Sequence, residues 1–208
     1  MPGPRLAIIG GGGFAKEVAE VARLCGYDIT GCYAQDPGSF APLHRGYLDD
    51  LLQHRADYEG VVLGVGGVDR RSLTRRRGLT DWLANSSLAC PPLVSPHAIR
   101  AEGVETQAGC FVAHGAILGL DAVLKDFCVI NSGAIIGHDA IIGTNSTIAP
   151  GAFIGGAAEI GTDTLIGPLA KVLHGVKIGD DVIVGLGCAA FRALAAGSTV
   201  WPRPDRTT

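Results

Sequence analysis

The stretch IIGHDAIIG, Ile135 to Gly143, sets His138 directly before Asp139. An unperturbed imidazole titrates at about 6.5, which suits it to take a proton near neutral pH. A carboxylate beside it can hold one ring tautomer. The pair therefore suits a reaction in which an amine or hydroxyl loses a proton and attacks an acyl carbonyl. The oxyanion so formed needs a donor, most simply a backbone N–H. Gly155-Gly156 offers one with no side chain in the way. The second place for chemistry is the run Gly10 to Gly13, which ends the apolar stretch RLAII and opens a helical pattern. Backbone N–H groups at such a junction can hold a phosphate. Ala15 stands where a dinucleotide fingerprint has its third glycine, and the unit is too short for two mononucleotide-binding halves. A nucleotide-sugar diphosphate fits better than NAD; a turn that simply requires glycine is the alternative.

Other reactive side chains point elsewhere. The six cysteines (25, 32, 90, 110, 128 and 188) form no CxxC pair and no metal spacing, so no metal centre is expected. They read as reduced thiols. The arginine-rich stretch from Asp69 to Arg77 reads as the solvated face of a helix in preference to a phosphate contact. A net charge of −3 gives no field that would favour nucleic acid or an anionic membrane. No apolar run is long enough to span a bilayer. Met1 to Pro4 lack a charged, then apolar, leader pattern, which predicts a cytoplasmic protein.

The elements that must position these groups fall into two kinds. From Val112, every sixth residue is aliphatic through Val184, thirteen positions without interruption. Four residues after each stands a small or modest one, from Ala116 through Cys128 and Ser146 to Cys188. A period of six fits no α-helix; it fits short strands alternating with turns, both residue types pointing into a narrow interior. The pattern predicts a left-handed parallel β-helix of three hexads per coil. Cys110, Cys128 and Cys188 then fall in the small inward slot, where a catalytic thiol is not expected. Eighteen residues return to the same column, so His138, Gly156 and His174 share one, with the two histidines roughly 10 Å apart at a sheet spacing of ~4.8 Å. His114 lies outside it and reads as a surface residue, and the plain surface reading is also favoured for His174.

The first half alternates strand and helix: Arg5 to Ile9, a helix with Phe14, Val18, Val21 and Cys25 on one face and Gly26 as its stop, strands at Ile29–Tyr33 and Val61–Leu63, and a helix over Asp69–Asn85. This predicts a small Rossmann-like parallel sheet over residues 1–90. Pro91 to Pro96 lead into the β-helix, residues 91–208.

GGGGFAKEV near the start, with INSGAIIGHDAIIG inside a hexapeptide repeat, resembles the sugar O- and N-acyltransferases of the sialic acid O-acetyltransferase type. Within them it is most similar to the N-acetyltransferases of nucleotide-linked 4-amino-4,6-dideoxysugars. The resemblance implies acetyl-CoA as donor, a sugar nucleotide held by the first unit, and an active site between neighbouring β-helices of a homotrimer. It puts the catalytic pair at His138 and Asp139. Sugar-nucleotide contacts fall on Gly12, Gly13, Phe14, Asp36, Gly66 and Asn131, and acetyl-CoA contacts on Thr147, Gly156, Pro168 and Leu186. Three positions depart from the family pattern. Phe14 and Thr147 stand where many members have histidine, and the end from Val200 to Arg206 lacks the usual Gly-x-Pro-Ala-Arg tail. O-acetylation of a sugar such as sialic acid, and a non-catalytic binding module, are the competing expectations.

Overall fold

The computed structural model describes residues 3–202. Its first unit is a four-stranded parallel sheet: β1 (Arg5–Ile9), β2 (Asp28–Tyr33), β3 (His44–Gly46) and β4 (Gly60–Leu63), in the order β3-β2-β1-β4. Three helices accompany it: α1 (Gly13–Leu24), α2 (Leu48–Gln53) and α3 (Arg70–Asn85). Alternate residues of β1 serve two cores, as strand geometry requires. Leu6 and Ile8 cluster with Ala15, Val18, Val21 and Ala22 of α1, while Ala7 and Ile9 cluster with Leu51 of α2 and Leu83 of α3. The edge strand β3 is absent from the sequence expectation, because three residues are too few to show a period. Cys25 caps α1 instead of extending its buried face, and Gly26, at φ +87°, stops the helix.

From Leu93 the chain coils. Two-residue strands repeat every six residues and stack into three parallel sheets of seven, six and five strands. The pairing Ile135↔Phe153 is a step of eighteen, one full coil. Every aliphatic position from Val112 to Val184 is buried, and so is every small position from Ala116 to Cys188. Cys110 extends that slot by one hexad. At most corners the second turn residue has a positive φ and is glycine or, at 121, 139, 163 and 181, aspartate. Asp139 (φ +56°) thus occupies a slot the fold itself favours for a short polar side chain.

The three faces differ in their outward residues. On the first, Leu93, Phe111, Val129, Thr147, Leu165 and Ile183 are all buried beneath the N-terminal unit. On the second, Ile99, Ile117, Ile135 and Phe153 form one exposed apolar column. On the third, Glu159 pairs with Lys177 at 2.7 Å below the half-buried Val123 and Ile141. No helix among the described residues is long and apolar enough to cross a membrane.

Of the α3 arginines, Arg71 and Arg75 keep the expected solvated face, but the other three engage the β-helix. Arg70 pairs with Asp181, and Arg77 with Asp163 at 2.6 Å. Arg76 is buried, donating to the Val65 carbonyl at 2.9 Å, the Phe127 carbonyl at 2.8 Å and the Asn145 side chain. Burial pulls its pKa down to about 10, which leaves it charged at neutral pH. The signal was in the sequence: Asn145, Asp163 and Asp181 are spaced by one coil, and Arg70 and Arg77 by two helical turns.

Candidate active site

The glycine turn opens onto a cavity of about 890 Å³. Gly12, Gly13, Phe14, Asp36 and Gly66 all line it, together with Tyr33, Tyr47, Asp49, Val65 and Arg75. The four glycines are not equivalent. Gly10 has φ +109°, and a Cβ on Gly11 would lie 2.3 Å from the Pro37 carbonyl carbon, so the chain's own packing needs both. Gly12 and Gly13 face open space, where the fold makes no such demand. Gly12 caps α1 without a side-chain hydrogen bond, and no acidic residue stands in the first turn. The first N–H groups of α1 are left for an anion in the cavity. Phe14 packs edge-on against Phe111 at 5.1 Å, which anchors the turn to the β-helix. Tyr33 is held by Tyr58 and His54, each 3.0 Å from its hydroxyl; burial and the Tyr58 hydroxyl push its pKa well above the usual phenol range, so it remains a neutral donor.

His138 and Asp139 turn the corner between the second and third faces and are exposed. Nδ1 of His138 lies 2.6 Å from Oδ2 of Asp139. The carboxylate accepts, so the proton belongs on Nδ1 and Nε2 keeps its lone pair. The imidazole lies over Gly156, one coil on; a Cβ there would come 2.5 Å from Nε2. Of the two proposed oxyanion donors, Gly155 is engaged: its N–H donates to the Val172 carbonyl at 2.8 Å. The Gly156 N–H makes no hydrogen bond among the described residues. The expected separation of His138 and His174 is corrected, since their ring centroids are 5.9 Å apart. The backbones do stand two coils apart, but the side-chain-free Gly156 between them lets the rings lean together. His114 belongs to another corner and bonds Ser95 at 2.6 Å.

The remaining expected contacts scatter over the β-helix. Asn131 follows a first-face strand, and its amide donates to the Ile148 carbonyl at 3.2 Å. Pro168 and Leu186 stack at the corner between the first and second faces, both exposed. Thr147 is buried beneath the N-terminal unit, its hydroxyl without a hydrogen-bond partner and 3.3 Å from where a Cβ on Gly67 would be. None of these four lines the cavity, and neither do His138 and Gly156. Residues Arg203 to Arg206 of the altered tail lie outside the described residues. Sequence reasoning missed Tyr33, Tyr47, Arg75 and the Arg76–Asn145 network, because scattered residues carry no local motif.

Residues 5–75 match the PglD N-terminal domain, and residues 121–156 and 157–188 match the bacterial transferase hexapeptide repeats. No curated protein sequence matches the chain. Among solved structures, PerB from Caulobacter crescentus, crystallised with CoA and GDP-perosamine, is 28% identical. That match covers 93% of this chain and 92% of PerB, with a TM-score of 0.84. The acetyltransferase domain of PglB from Neisseria gonorrhoeae, in complex with acetyl coenzyme A, is 27% identical over 95% of each chain, with a TM-score of 0.83. WeeI from Acinetobacter baumannii shares the fold at 20% identity and a TM-score of 0.66, over 97% of this chain and 98% of its own. The chain thus carries a PglD-type N-terminal domain followed by bacterial transferase hexapeptide repeats, and it is similar to PerB and PglB nearly end to end.

Proposed function

We propose that the protein transfers the acetyl group of acetyl-CoA to the amine of a nucleotide-linked amino sugar of the 4-amino-4,6-dideoxyhexose type. Residues 1–90 bind the sugar nucleotide and residues 91–208 carry the transfer. The observation that carries this reading is the Asp139–His138–Gly156 arrangement, in a chain that matches PerB over nearly its whole length. The sugar's diphosphate sits at the open start of α1, with Gly12, Gly13, Phe14, Asp36 and Gly66 around the nucleotide.

Nε2 of His138 takes a proton from the sugar ammonium. The freed amine attacks the thioester carbonyl carbon, and the oxyanion accepts a hydrogen bond from the Gly156 N–H. Collapse breaks the C–S bond; the thiolate leaves with the proton that His138 carried, and the second proton lost by the attacking nitrogen passes through Nε2 to solvent, leaving a neutral amide. Asp139 holds the ring with Nδ1 protonated throughout.

A homotrimer is part of this reading. The N-terminal unit covers the first face, while His138 turns the corner opposite that face. A sugar in the cavity therefore has the β-helix of its own chain between it and its own His138, and a neighbouring copy must supply the histidine. The apolar column Ile99, Ile117, Ile135 and Phe153 supports contact between copies. Acetyl-CoA then lies between chains, with Pro168 and Leu186 along its arm and Asn131 toward the sugar; Thr147, buried beneath the N-terminal unit, is out of reach of the thioester, contrary to the expectation from the resemblance.

The test is thiol release from acetyl-CoA with UDP-, GDP- and dTDP-linked 4-amino sugars and with free sialic acid. Release with one nucleotide-linked amine is expected. Release with sialic acid alone would replace this reading by O-acetylation. No release with any acceptor and no CoA binding would leave a non-catalytic module.

A further inference from the structure

The five arginines of α3 have three fates. Arg70, Arg76 and Arg77 grip the β-helix. Arg71 and Arg75 are exposed and make no ion pair or hydrogen bond among the described residues. Of these two only Arg75 lines the cavity at the glycine turn. Leu79, one turn later, lines it as well, so this face of α3 forms a wall. The next residue, Arg76, is buried in the opposite sense and holds the carbonyl of Val65, itself part of the lining. Arg75 is thus carried on a helix that is locked in place on both sides.

The charge of the lining makes this position consequential. The carboxylates there are Asp36 and Asp49, and Arg75 is the lining's cation. Without it, a nucleoside diphosphate would enter a cavity of its own sign, with only backbone N–H groups to meet its phosphates. Coulomb repulsion at these distances opposes binding even where water screens it. A guanidinium presents paired donors that match phosphate oxygens.

We infer that Arg75 meets the diphosphate of the nucleotide-linked sugar and supplies the charge that admits it; this deepens the reading of the cavity given above and rests on it. Asp49, and the oxygen of Asp36 that the Gly38 N–H does not engage, are left to face the uncharged nucleoside. The division of labour within α3 is then sharp: three arginines fix the helix and one addresses the ligand.

Calorimetric titration of the full chain with GDP, UDP and dTDP, and with the matching nucleosides, tests it. With the diphosphate that the wild type binds best, Arg75→Gln should weaken binding about tenfold to a hundredfold. The nucleoside's affinity should not change, and Arg75→Lys should recover part of the loss. Arg71→Gln, on the same helix but outside the cavity, should match the wild type. Raising salt should weaken the wild type more than Arg75→Gln. Equal diphosphate binding by Arg75→Gln and the wild type would overturn the inference alone. So would equal losses for diphosphate and nucleoside, which would mean a structural effect. A wild type that binds no nucleoside diphosphate would overturn the nucleotide-sugar reading itself.

Discussion

The cavity at the glycine turn and the corner at His138 are built on opposite plans. The cavity is complete within one chain: backbone N–H groups, two tyrosines, two carboxylates and a guanidinium converge on one space. The corner has an oriented imidazole and, among the described residues, an unused N–H, yet His138 and Asp139 are 59% and 60% exposed. Binding in the ground state needs only complementarity, and one chain provides it. Catalysis gains from fixed dipoles in a site that excludes water, and on the reading proposed above a second copy supplies the excluding surface. The exposed apolar column on the second face, next to that corner, is what a second copy would cover.

The comparison is broken most severely by preventing assembly. Placing a charge in the apolar column, as in Ile135→Glu, should abolish association in light scattering and with it essentially all turnover. Calorimetric nucleotide binding should persist, because the cavity needs one chain. Full turnover by a monomer would mean that the corner is complete as it stands.

Next in size is His138→Ala, which should lower kcat by about 10²- to 10⁴-fold with nucleotide affinity unchanged. Gly156→Ala should follow at about a hundredfold in kcat, since its methyl would occupy the place of the imidazole and small displacements of a catalytic group are costly. Its melting temperature should stay close to that of the wild type. In the double variant with His138→Ala, most of the Gly156→Ala loss should vanish, and losses that simply multiplied would point to the oxyanion donor instead.

The smallest effect sharpens the corner itself. Asp139→Asn keeps a residue that tolerates φ +56° and so preserves the turn, but it removes the carboxylate that holds the Nδ1 proton. A loss of roughly tenfold to a hundredfold in kcat is expected, without loss of stability. An unchanged kcat would show Asp139 to be a corner residue only, like Asp121.

The β-helix was legible because its interior admits one solution per hexad: Ile136, Ile142 and Ile148 are repeated because the space they fill is repeated. The strand-helix alternation of the first unit was legible for the same reason, with Val18 and Val21 marking the buried face of α1. What stayed hidden depended on contacts across long stretches of chain. The approach of His138 to His174 follows from a side-chain tilt over Gly156, which column arithmetic cannot express. Arg70, Arg76 and Arg77 of α3 were misread because their partners lie from 69 to 111 residues away. That Asp139 also serves the fold shows only in the backbone angle at its corner.

The grip of α3 has a consequence for how such a chain can change in length. Coils are interchangeable units, and a repeat of this kind can grow or shrink by whole multiples of eighteen residues without disturbing its interior. Arg76, Arg77 and Arg70 engage Asn145, Asp163 and Asp181, one partner on each of three successive coils. The helix therefore acts as a ruler laid along the stack. A coil gained or lost between Asn145 and Asp163 would put two of the three arginines out of step, and one between Asp163 and Asp181 would displace Arg70, whereas one gained beyond Asp181 would leave all three pairings in register. Duplication, the easiest route by which repeats diverge, is open at the far end of this molecule and closed along the length that α3 measures.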